Sequence, residues 1–209
     1  MNIEMNQVKR TIIVGVGGCG INVLDYLIGT ELKNFEYLAI HTDEKALAKS
    51  KASKKLLISS SMITDTGICE NSSMVKKDSI KDRNSIAKNL KKADTIIIIS
   101  GMGGRTGTGA SPIIAQISQK YKAFTVGIIA MPFSFESSFI DNVAKKGVVE
   151  LQKMTDALFI INNNILIKKI KKNIRINIAM EYINSIFYET IINILFLHEH
   201  IIKNDKYLK

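Results

Sequence analysis

The sequence predicts an α/β protein with a three-layer, Rossmann-like architecture, in which a doubly wound parallel sheet carries helices on both faces. Two observations support this prediction. Short runs rich in β-branched residues alternate with longer segments of helical period, which is the order expected of a parallel sheet. The short runs are apolar at nearly every position rather than at alternate positions, which indicates strands covered on both faces.

Six apolar runs are predicted to form the strands, and segments of helical period separate them. The predicted strands are Thr11 to Val16, Phe35 to His41, Leu56 to Ser59, Thr95 to Ser100, Thr125 to Met131 and Ala157 to Ile161. The predicted helices are Gly20 to Gly29, Ser79 to Lys92, Ala110 to Tyr121, Phe139 to Thr155 and a long final helix over Asn177 to Ile202. The stretch from Ser59 to Lys77, rich in Ser, Thr and Asn, is expected to be a loop.

The composition is that of one globular core with reduced thiols. The chain has 209 residues, of which 46% are hydrophobic, enough for one ordinary core but not for two full domains. Its two cysteines are too few for a disulfide framework, and the N-terminus lacks the apolar segment of a signal peptide. A cytoplasmic protein is therefore expected.

Charge is the unusual bulk property, because a formal net charge of +10 would attract nucleic acid or an anionic membrane. The lysines are nevertheless spread along a sequence that also uses Ile and Asn heavily. A solvated surface is therefore favoured over a polyanion site. No apolar run reaches the roughly 20 uninterrupted residues of a membrane span. The sequence predicts no nucleic-acid partner and only indirect contact with membranes.

The first glycine cluster lies between the first predicted strand and the first predicted helix. It reads Gly15-Val16-Gly17-Gly18-Cys19-Gly20-Ile21-Asn22. Glycines in this position let backbone amides approach an anion, and the helix N-terminus adds a favourable dipole. The spacing Gly15-x-Gly17-x-x-Gly20 also fits a dinucleotide fingerprint, with Asp43 as the ribose-binding acid. A nicotinamide-dependent oxidoreductase is therefore an alternative at this point.

A second glycine cluster favours a different phosphate-binding protein, because a dinucleotide fold does not need glycines here. It runs Ser100-Gly101-Met102-Gly103-Gly104-Arg105-Thr106-Gly107-Thr108-Gly109-Ala110-Ser111-Pro112. A predicted strand precedes it and a predicted helix follows. We therefore expect a flexible loop whose amides and two threonine hydroxyls enclose phosphates. No Gly-Lys-Ser/Thr closes either cluster, which disfavours Walker-type NTPases.

Together these motifs resemble the tubulin/FtsZ family. Residues Gly103 to Gly109 are similar to the family's signature loop GGGTGTG, with Arg105 in place of one glycine. Other segments that resemble family motifs are Gly15 to Asn22, His41-Thr42-Asp43, Pro132-Phe133-Ser134-Phe135-Glu136, and Leu158 to Leu166 with Asn163 inside it. The resemblance covers nearly the whole chain. It implies a tubulin-type nucleotide-binding domain that ends in a long central helix.

The resemblance also implies a GTP or GDP site, with Mg²⁺ accompanying the nucleotide and no catalytic residue in this chain. The glycines and threonines of both clusters would hold the phosphates, Glu136 would bind the ribose, and two asparagines would contact the guanine. Arg105 could pair with phosphate or point into solvent. The implied binding residues are Gly17, Gly18, Gly20, Asn22, Gly67, Gly103, Gly104, Arg105, Thr106, Gly107, Thr108, Glu136 and Asn163.

The loop that senses the γ-phosphate in the family departs from the family pattern. The family's Leu-Gly-Ala-Gly-Ala-Asn-Pro is similar to Thr66 to Ser72 here, and Gly67 keeps one of its glycines. Cys69 replaces another glycine, and Glu70 adds a carboxylate that would repel a phosphate. GDP binding, or weak binding of either nucleotide, is therefore expected.

Three other positions also differ from the family. Ile140 aligns with an arginine that could contact the nucleotide. Without a gap, Tyr188 aligns with an aspartate that accepts hydrogen bonds from guanine, and the alternative is a one-residue shift that places the Glu189 carboxylate there. Cys19 and Cys69 both replace glycines and are interpreted as small residues. A redox pair, or a metal site shared with His41, is the alternative.

The expected organisation is an N-terminal tail over residues 1–10, a GTP-binding domain over residues 11–176, and a long core helix with a short tail over residues 177–209. The family's second domain and its acidic catalytic loop are not recognised in these residues, so little unaided hydrolysis is expected. The predicted function is GTP binding in bacterial cell division, through polymerisation with itself or a full-length homologue at the division site. The alternative is a nucleotide-independent modulator or cap of such filaments.

Overall fold

A single parallel sheet organises the first part of the chain. The computed structural model of the protein describes residues 10–30, 32, 35–60, 77–165 and 175–205. In this part, the strands are β1 Thr11–Val16, β2 Glu36–His41, β3 Lys54–Leu57, β4 Thr95–Gly101, β5 Phe124–Met131 and β6 Ala157–Asn162. All neighbouring strands are parallel, in the order β3-β2-β1-β4-β5-β6. The predicted doubly wound sheet is therefore confirmed.

A helix follows each of these strands. The helices are α1 Gly17–Ile28, α2 Glu44–Lys49, α3 Lys77–Leu90, α4 Arg105–Lys120, α5 Ser138–Gln152 and α6 Ile176–Asp205. The chain divides into two units, Met1–Asn164, which holds the sheet and α1 to α5, and Ile165–Lys209, which holds α6. The predicted long final helix is confirmed. Among the helices of the described ranges, none is both long and apolar enough to cross a membrane.

The central strands β1 and β4 form the core of the sheet. All six residues of β1 are buried, as are the first six of β4, Thr95 to Ser100. The near-continuous apolar runs thus lie in strands covered on both faces, as predicted. Full burial of an Ile or Val side chain contributes about 1.5–3 kcal/mol, so the burial of β1 and β4 stabilises the centre of the sheet.

Three predicted boundaries were wrong for identifiable reasons. Strand β3 begins two residues early, at Lys54, because Lys54 and Lys55 are exposed on an edge strand where apolar character gives no signal. Helices α1 and α4 begin at Gly17 and Arg105, not at Gly20 and Ala110, since their glycine-rich first turns are helical. The short helix α2 was not predicted.

An ion cluster ties the amino ends of three strands together, on the edge opposite the glycine clusters. Arg10 Nε lies 2.5 Å from Glu36 Oε1, and Lys54 Nζ lies 2.6 Å from Glu36 Oε2. The hydrogen bond from Arg10 is the largest influence on the pKa of the Glu36 carboxyl. Partial burial raises its pKa, but the hydrogen bonds from Arg10 and Lys54 together lower the pKa to about 2. Arg10 and Lys54 thus both pair with one carboxylate at the start of β2.

Candidate functional site

The two glycine clusters meet at the carboxyl edge of the sheet. Strand β1 pairs with β4, and the strand order reverses between them, which is where open α/β sheets form a ligand crevice. Gly17 and Gly103 have φ values of +70° and +93°, a left-handed conformation that favours glycine. A Cβ built on Gly17 would lie 3.1 Å from the Gly107 nitrogen. The two clusters are therefore in direct contact.

The N-termini of α1 and α4 lack side-chain caps. Their N-cap residues, Val16 and Gly104, make no capping hydrogen bond within the described residues, and neither first turn contains an acid. By contrast, Asp43 caps α2 and Ser137 caps α5. Without side-chain caps or acids in their first turns, the N-termini of α1 and α4 favour an anion through both helix dipoles.

The predicted glycines fall into two groups by their surroundings. A Cβ on Gly20 would meet the Ile99 carbonyl oxygen at 2.2 Å, and one on Gly107 would meet the Gly101 carbonyl oxygen at 2.3 Å. These glycines let α1 and α4 pack closely against β4. A Cβ on Gly18 or Gly104 would meet nothing within 4 Å. Both of the latter residues are exposed, so their backbone is open to a ligand.

The second cluster is not the long flexible loop that the sequence predicted. Thr106, Gly107 and Thr108 lie in the first two turns of α4. The Thr108 side chain is fully buried, and its Oγ1 accepts a 2.8 Å hydrogen bond from the Gly103 amide. Thr108 therefore stabilises the turn at Gly103 through this hydrogen bond. The prediction erred because glycines and β-branched residues disfavour helices locally, while a packed helix start tolerates them.

Two side chains flank the turn at Gly103. Arg105 is the first residue of α4 and is exposed. On the other flank, Ile140 Cγ2 lies 2.6 Å from the position that a Gly103 Cβ would occupy. An apolar side chain thus packs against the loop at the position where the family resemblance implies an arginine. The only cation of the second cluster is Arg105.

The ends of β5 and β6 contribute the predicted base and ribose residues. Asn163 is 8% exposed, and its Nδ2 donates to the Met131 carbonyl at 3.0 Å. Its Oδ1 is buried and has no partner among the described residues. Glu136 is exposed, and its Oε1 accepts from the Phe133 amide at 2.8 Å, which leaves other lone pairs free. Asn22 is exposed on α1.

The segment after β2 is held by hydrogen bonds within itself. Asp43 Oδ1 accepts from the Lys45 and Ala46 amides, at 2.8 and 3.3 Å. This carboxylate therefore caps α2, which accounts for it without the ribose contact of the dinucleotide alternative. The Asp43 amide donates to His41 Nδ1 at 2.8 Å, and burial lowers the pKa of His41. His41 is therefore neutral at pH 7.

The structure does not test every predicted position. Gly67, Cys69 and Glu70 lie outside the described residues. Cys19 lies beside Gly101, and burial raises its thiol pKa to about 11, which makes it a poor nucleophile. In the described ranges, no group of three or more His, Cys, Asp or Glu side chains is arranged to hold a metal ion.

One residue of the site was missed by sequence reasoning. Thr42 Oγ1 lies 2.7 Å from Thr106 Oγ1, although the two residues are 64 positions apart. Two signals were available: Thr42 directly follows the carboxyl end of a predicted strand, and it lies inside His41-Thr42-Asp43, a segment that resembles a family motif. Polar residues at that edge of a parallel sheet are expected to face the ligand crevice.

The fold and this edge define a Rossmann-like α/β domain in which two glycine clusters form a candidate anion site. The profile of the Tubulin/FtsZ family, GTPase domain, matches residues 10–171. The chain therefore belongs to the tubulin/FtsZ family.

Individual relatives agree with this assignment. The cell division protein FtsZ of Buchnera aphidicola subsp. Baizongia pistaciae (strain Bp) is 36% identical over 184 residues, which are 88% of this chain and 48% of that protein. FtsZ of Buchnera aphidicola subsp. Acyrthosiphon pisum (strain APS) is 32% identical over 174 residues. The empty FtsZ dimer structure from M. jannaschii has a TM-score of 0.74 and 27% identity, covering 87% of this chain and 53% of that one. The chain spans about half the length of the relatives it matches.

Proposed function

We propose that this chain binds GTP and GDP at the carboxyl edge of its sheet, as an FtsZ-type protein of bacterial cell division. The observation that carries the proposal is the meeting of two uncapped, glycine-lined helix N-termini at the point where the strand order reverses. Two such dipoles directed at one place favour a chain of phosphates over a single weak anion.

Each part of the nucleotide has a matching group. The amides that follow Gly17 and Gly104 would hold the phosphates, and Arg105 adds a positive charge beside them. The Glu136 carboxylate would accept hydrogen bonds from ribose hydroxyls. Asn22 and Asn163 would contact the guanine, and the unpartnered Asn163 Oδ1 supports an acceptor role toward the base. Mg²⁺ would neutralise charge on the phosphates that this chain's amides hold.

Assembly and turnover follow from the same proposal. We expect the protein to polymerise, with itself or with a full-length homologue, in septum assembly in the cytoplasm at the division site. The family likeness supports this part. Hydrolysis by these 209 residues alone is expected to be slow, because the catalytic loop that the family resemblance implies is not recognised among them.

The test is a calorimetric titration with GTP and GDP, with magnesium present and ATP as control. We expect guanine-selective binding with Kd of about 1 µM, equivalent to about −8 kcal/mol. Equal binding of ATP, or no binding of any nucleotide, would contradict the proposal.

A matched pair of variants shows whether the phosphates lie at Gly104. This N-cap residue has φ −77° and ψ 143°, a conformation open to any residue, and a Cβ there meets no atom. Asp and Asn cap helices about equally well, so Gly104→Asp and Gly104→Asn should both fold stably. Only the aspartate repels phosphate. We expect Gly104→Asp to bind GDP at least tenfold more weakly than Gly104→Asn, whereas equal affinities would place the phosphates elsewhere.

A second candidate is a nucleotide-independent modulator or cap of FtsZ-type filaments. The observation that favours it is the packing of Ile140 against Gly103, which puts an apolar group beside the phosphate loop. It predicts no guanine-nucleotide binding together with altered assembly of a full-length homologue, measured by light scattering. Guanine-selective binding in the titration would contradict this second candidate.

A further inference from the structure

A bond between two hydroxyl groups joins the ends of two strands that are not neighbours. Thr42 follows β2, Thr106 lies in the first turn of α4 after β4, and their Oγ1 atoms are 2.7 Å apart. Strands β2 and β4 pair with opposite sides of β1. With about 4.8 Å between neighbouring strands, the two side chains close a gap of roughly 10 Å across the end of β1.

This bond passes beside the first glycine cluster. A Cβ built on Gly17 would lie 3.5 Å from Thr106 Cβ, so Thr106 lies where the two glycine clusters meet. Thr106 is 7% exposed and Thr42 is partly exposed. The pair therefore lies at the inner wall of the proposed phosphate site, with one side chain from each flank of β1.

The residues around Thr42 restrict where its hydroxyl can point. The Asp43 amide bonds to His41 Nδ1 at 2.8 Å, and the Ile58 amide donates to the His41 carbonyl at 2.9 Å. Asp43 also caps α2. Hydrogen bonds hold His41 and Asp43 on either side of Thr42 in place. The Thr42 hydroxyl is therefore held close to Thr106.

A hydroxyl has one proton to donate, so in this pair one oxygen donates and the other keeps its proton for another acceptor. Either threonine can be the donor in the structure. A phosphate oxygen only accepts, and a hydroxyl that already accepts a hydrogen bond is a stronger donor. A phosphate near Thr106 would thus select the arrangement in which Thr42 donates to Thr106.

We propose that Thr42 is a positioning residue of the nucleotide site. Its hydroxyl donates to Thr106 Oγ1 and thereby directs the Thr106 proton toward a phosphate oxygen of the bound nucleotide. This inference rests on the proposed nucleotide binding and adds to it a residue from the segment after β2, which neither glycine cluster contains.

The experiment measures GDP affinity by calorimetry for the full chain and its variants. Thr42→Val keeps the shape and removes the hydroxyl, and Thr42→Ala removes it without filling the space. Thr42→Ser restores the donor. The control is Thr30→Val, which removes a 2.6 Å hydroxyl bond to the Leu27 carbonyl at the far end of α1. Thermal melting of each variant establishes that it is folded.

The expected loss in Thr42→Val and Thr42→Ala is about tenfold in Kd, the effect of one hydrogen bond to a charged acceptor lost through its donor. Thr42→Ser should restore most of that loss, and Thr30→Val should bind like the wild type. The double variant Thr42→Val/Thr106→Val should bind no more weakly than Thr106→Val alone, because Thr42 acts through Thr106.

Several outcomes would overturn the inference. Wild-type affinity in both Thr42→Val and Thr42→Ala would do so, as would additive losses in the double variant. If Thr42→Ser binds GDP as weakly as Thr42→Val, the loss of affinity arises from packing rather than from the hydroxyl. If the wild type binds no guanine nucleotide, the proposed function fails as well. Binding by the wild type with no effect at Thr42 refutes this inference alone.

Discussion

Replacing Gly20 and Gly18 by alanine, one at a time, separates the packing role of the first glycine cluster from its ligand role. Both residues lie in the first turn of α1, two positions apart, and the same methyl group is added. At Gly20 the new Cβ would lie 2.2 Å from the Ile99 carbonyl oxygen and 3.0 Å from the Gly15 carbonyl carbon. At Gly18 it would meet nothing within 4 Å.

The magnitudes follow from these distances. Carbon and carbonyl oxygen approach to about 3.3 Å, so Gly20→Ala must displace backbone by about 1 Å between α1 and β4. Overpacking of this kind costs about 1–3 kcal/mol, which lowers Tm by about 2–12 °C in a chain of this size. Gly18→Ala removes a flexible residue from a helix and should change stability by less than about 1 kcal/mol, in the stabilising direction.

The assay is thermal melting followed by circular dichroism, paired with a GDP titration of each folded variant. Gly18→Ala should melt like the wild type or slightly higher, yet bind GDP at least about tenfold more weakly, because its methyl group keeps the phosphate from the backbone. Gly20→Ala should show the large fall in Tm. Equal melting temperatures for the two variants would refute the distinction between packing and open glycines.

Three further predictions concern single side chains. Glu36→Gln should lower the free energy of unfolding by about 1 kcal/mol at pH 7, as expected for a partly exposed ion cluster. Because the pKa of Glu36 is lowered to about 2, urea unfolding should show the full difference between wild type and variant above about pH 4.5, and this difference should shrink as the pH falls toward 2. Asp43→Ala should lower the free energy of unfolding by about 1 kcal/mol and Asp43→Asn by much less, since only alanine removes the cap of α2; equal losses would contradict the cap. In a Cys69→Ser background, Cys19 should react with iodoacetamide at pH 8 about a hundredfold more slowly than a free thiol, since burial raises its pKa to about 11; a rate equal to that of free cysteine would contradict the burial.

The sheet was predictable because its signal is local. The runs Thr11 to Val16 and Thr95 to Ser100 are apolar at nearly every position, and β1 has the predicted bounds. The edge strand β3 was displaced in the prediction because Lys54 and Lys55 face solvent, where burial does not select the residue type. The main sequence signal for the short helix α2 is its N-cap residue, Asp43. An argument from hydrophobic periodicity does not detect such a cap.

The candidate site was predictable in outline but not in its contacts. Two glycine clusters after neighbouring strands indicated an anion site, yet only the structure distinguishes Gly20, which packs against a carbonyl, from Gly18, which is open. Thr108 has the residue type of a phosphate ligand but is buried behind Gly103. The link between Thr42 and Thr106 joins positions 64 apart, and no local pattern encodes it.

The most direct test of the central claim, that both glycine clusters form one nucleotide site, is amide hydrogen exchange with and without GDP and magnesium. The first-turn amides of α1 and α4 lack intrahelical acceptors and should exchange quickly in the free protein. On adding GDP, we expect exchange to slow together in peptides covering Gly17 to Gly20 and Gly103 to Thr108, with no change on adding ATP at the same concentration. Slowing in only one of the two peptides, or equal slowing with ATP, would contradict the claim.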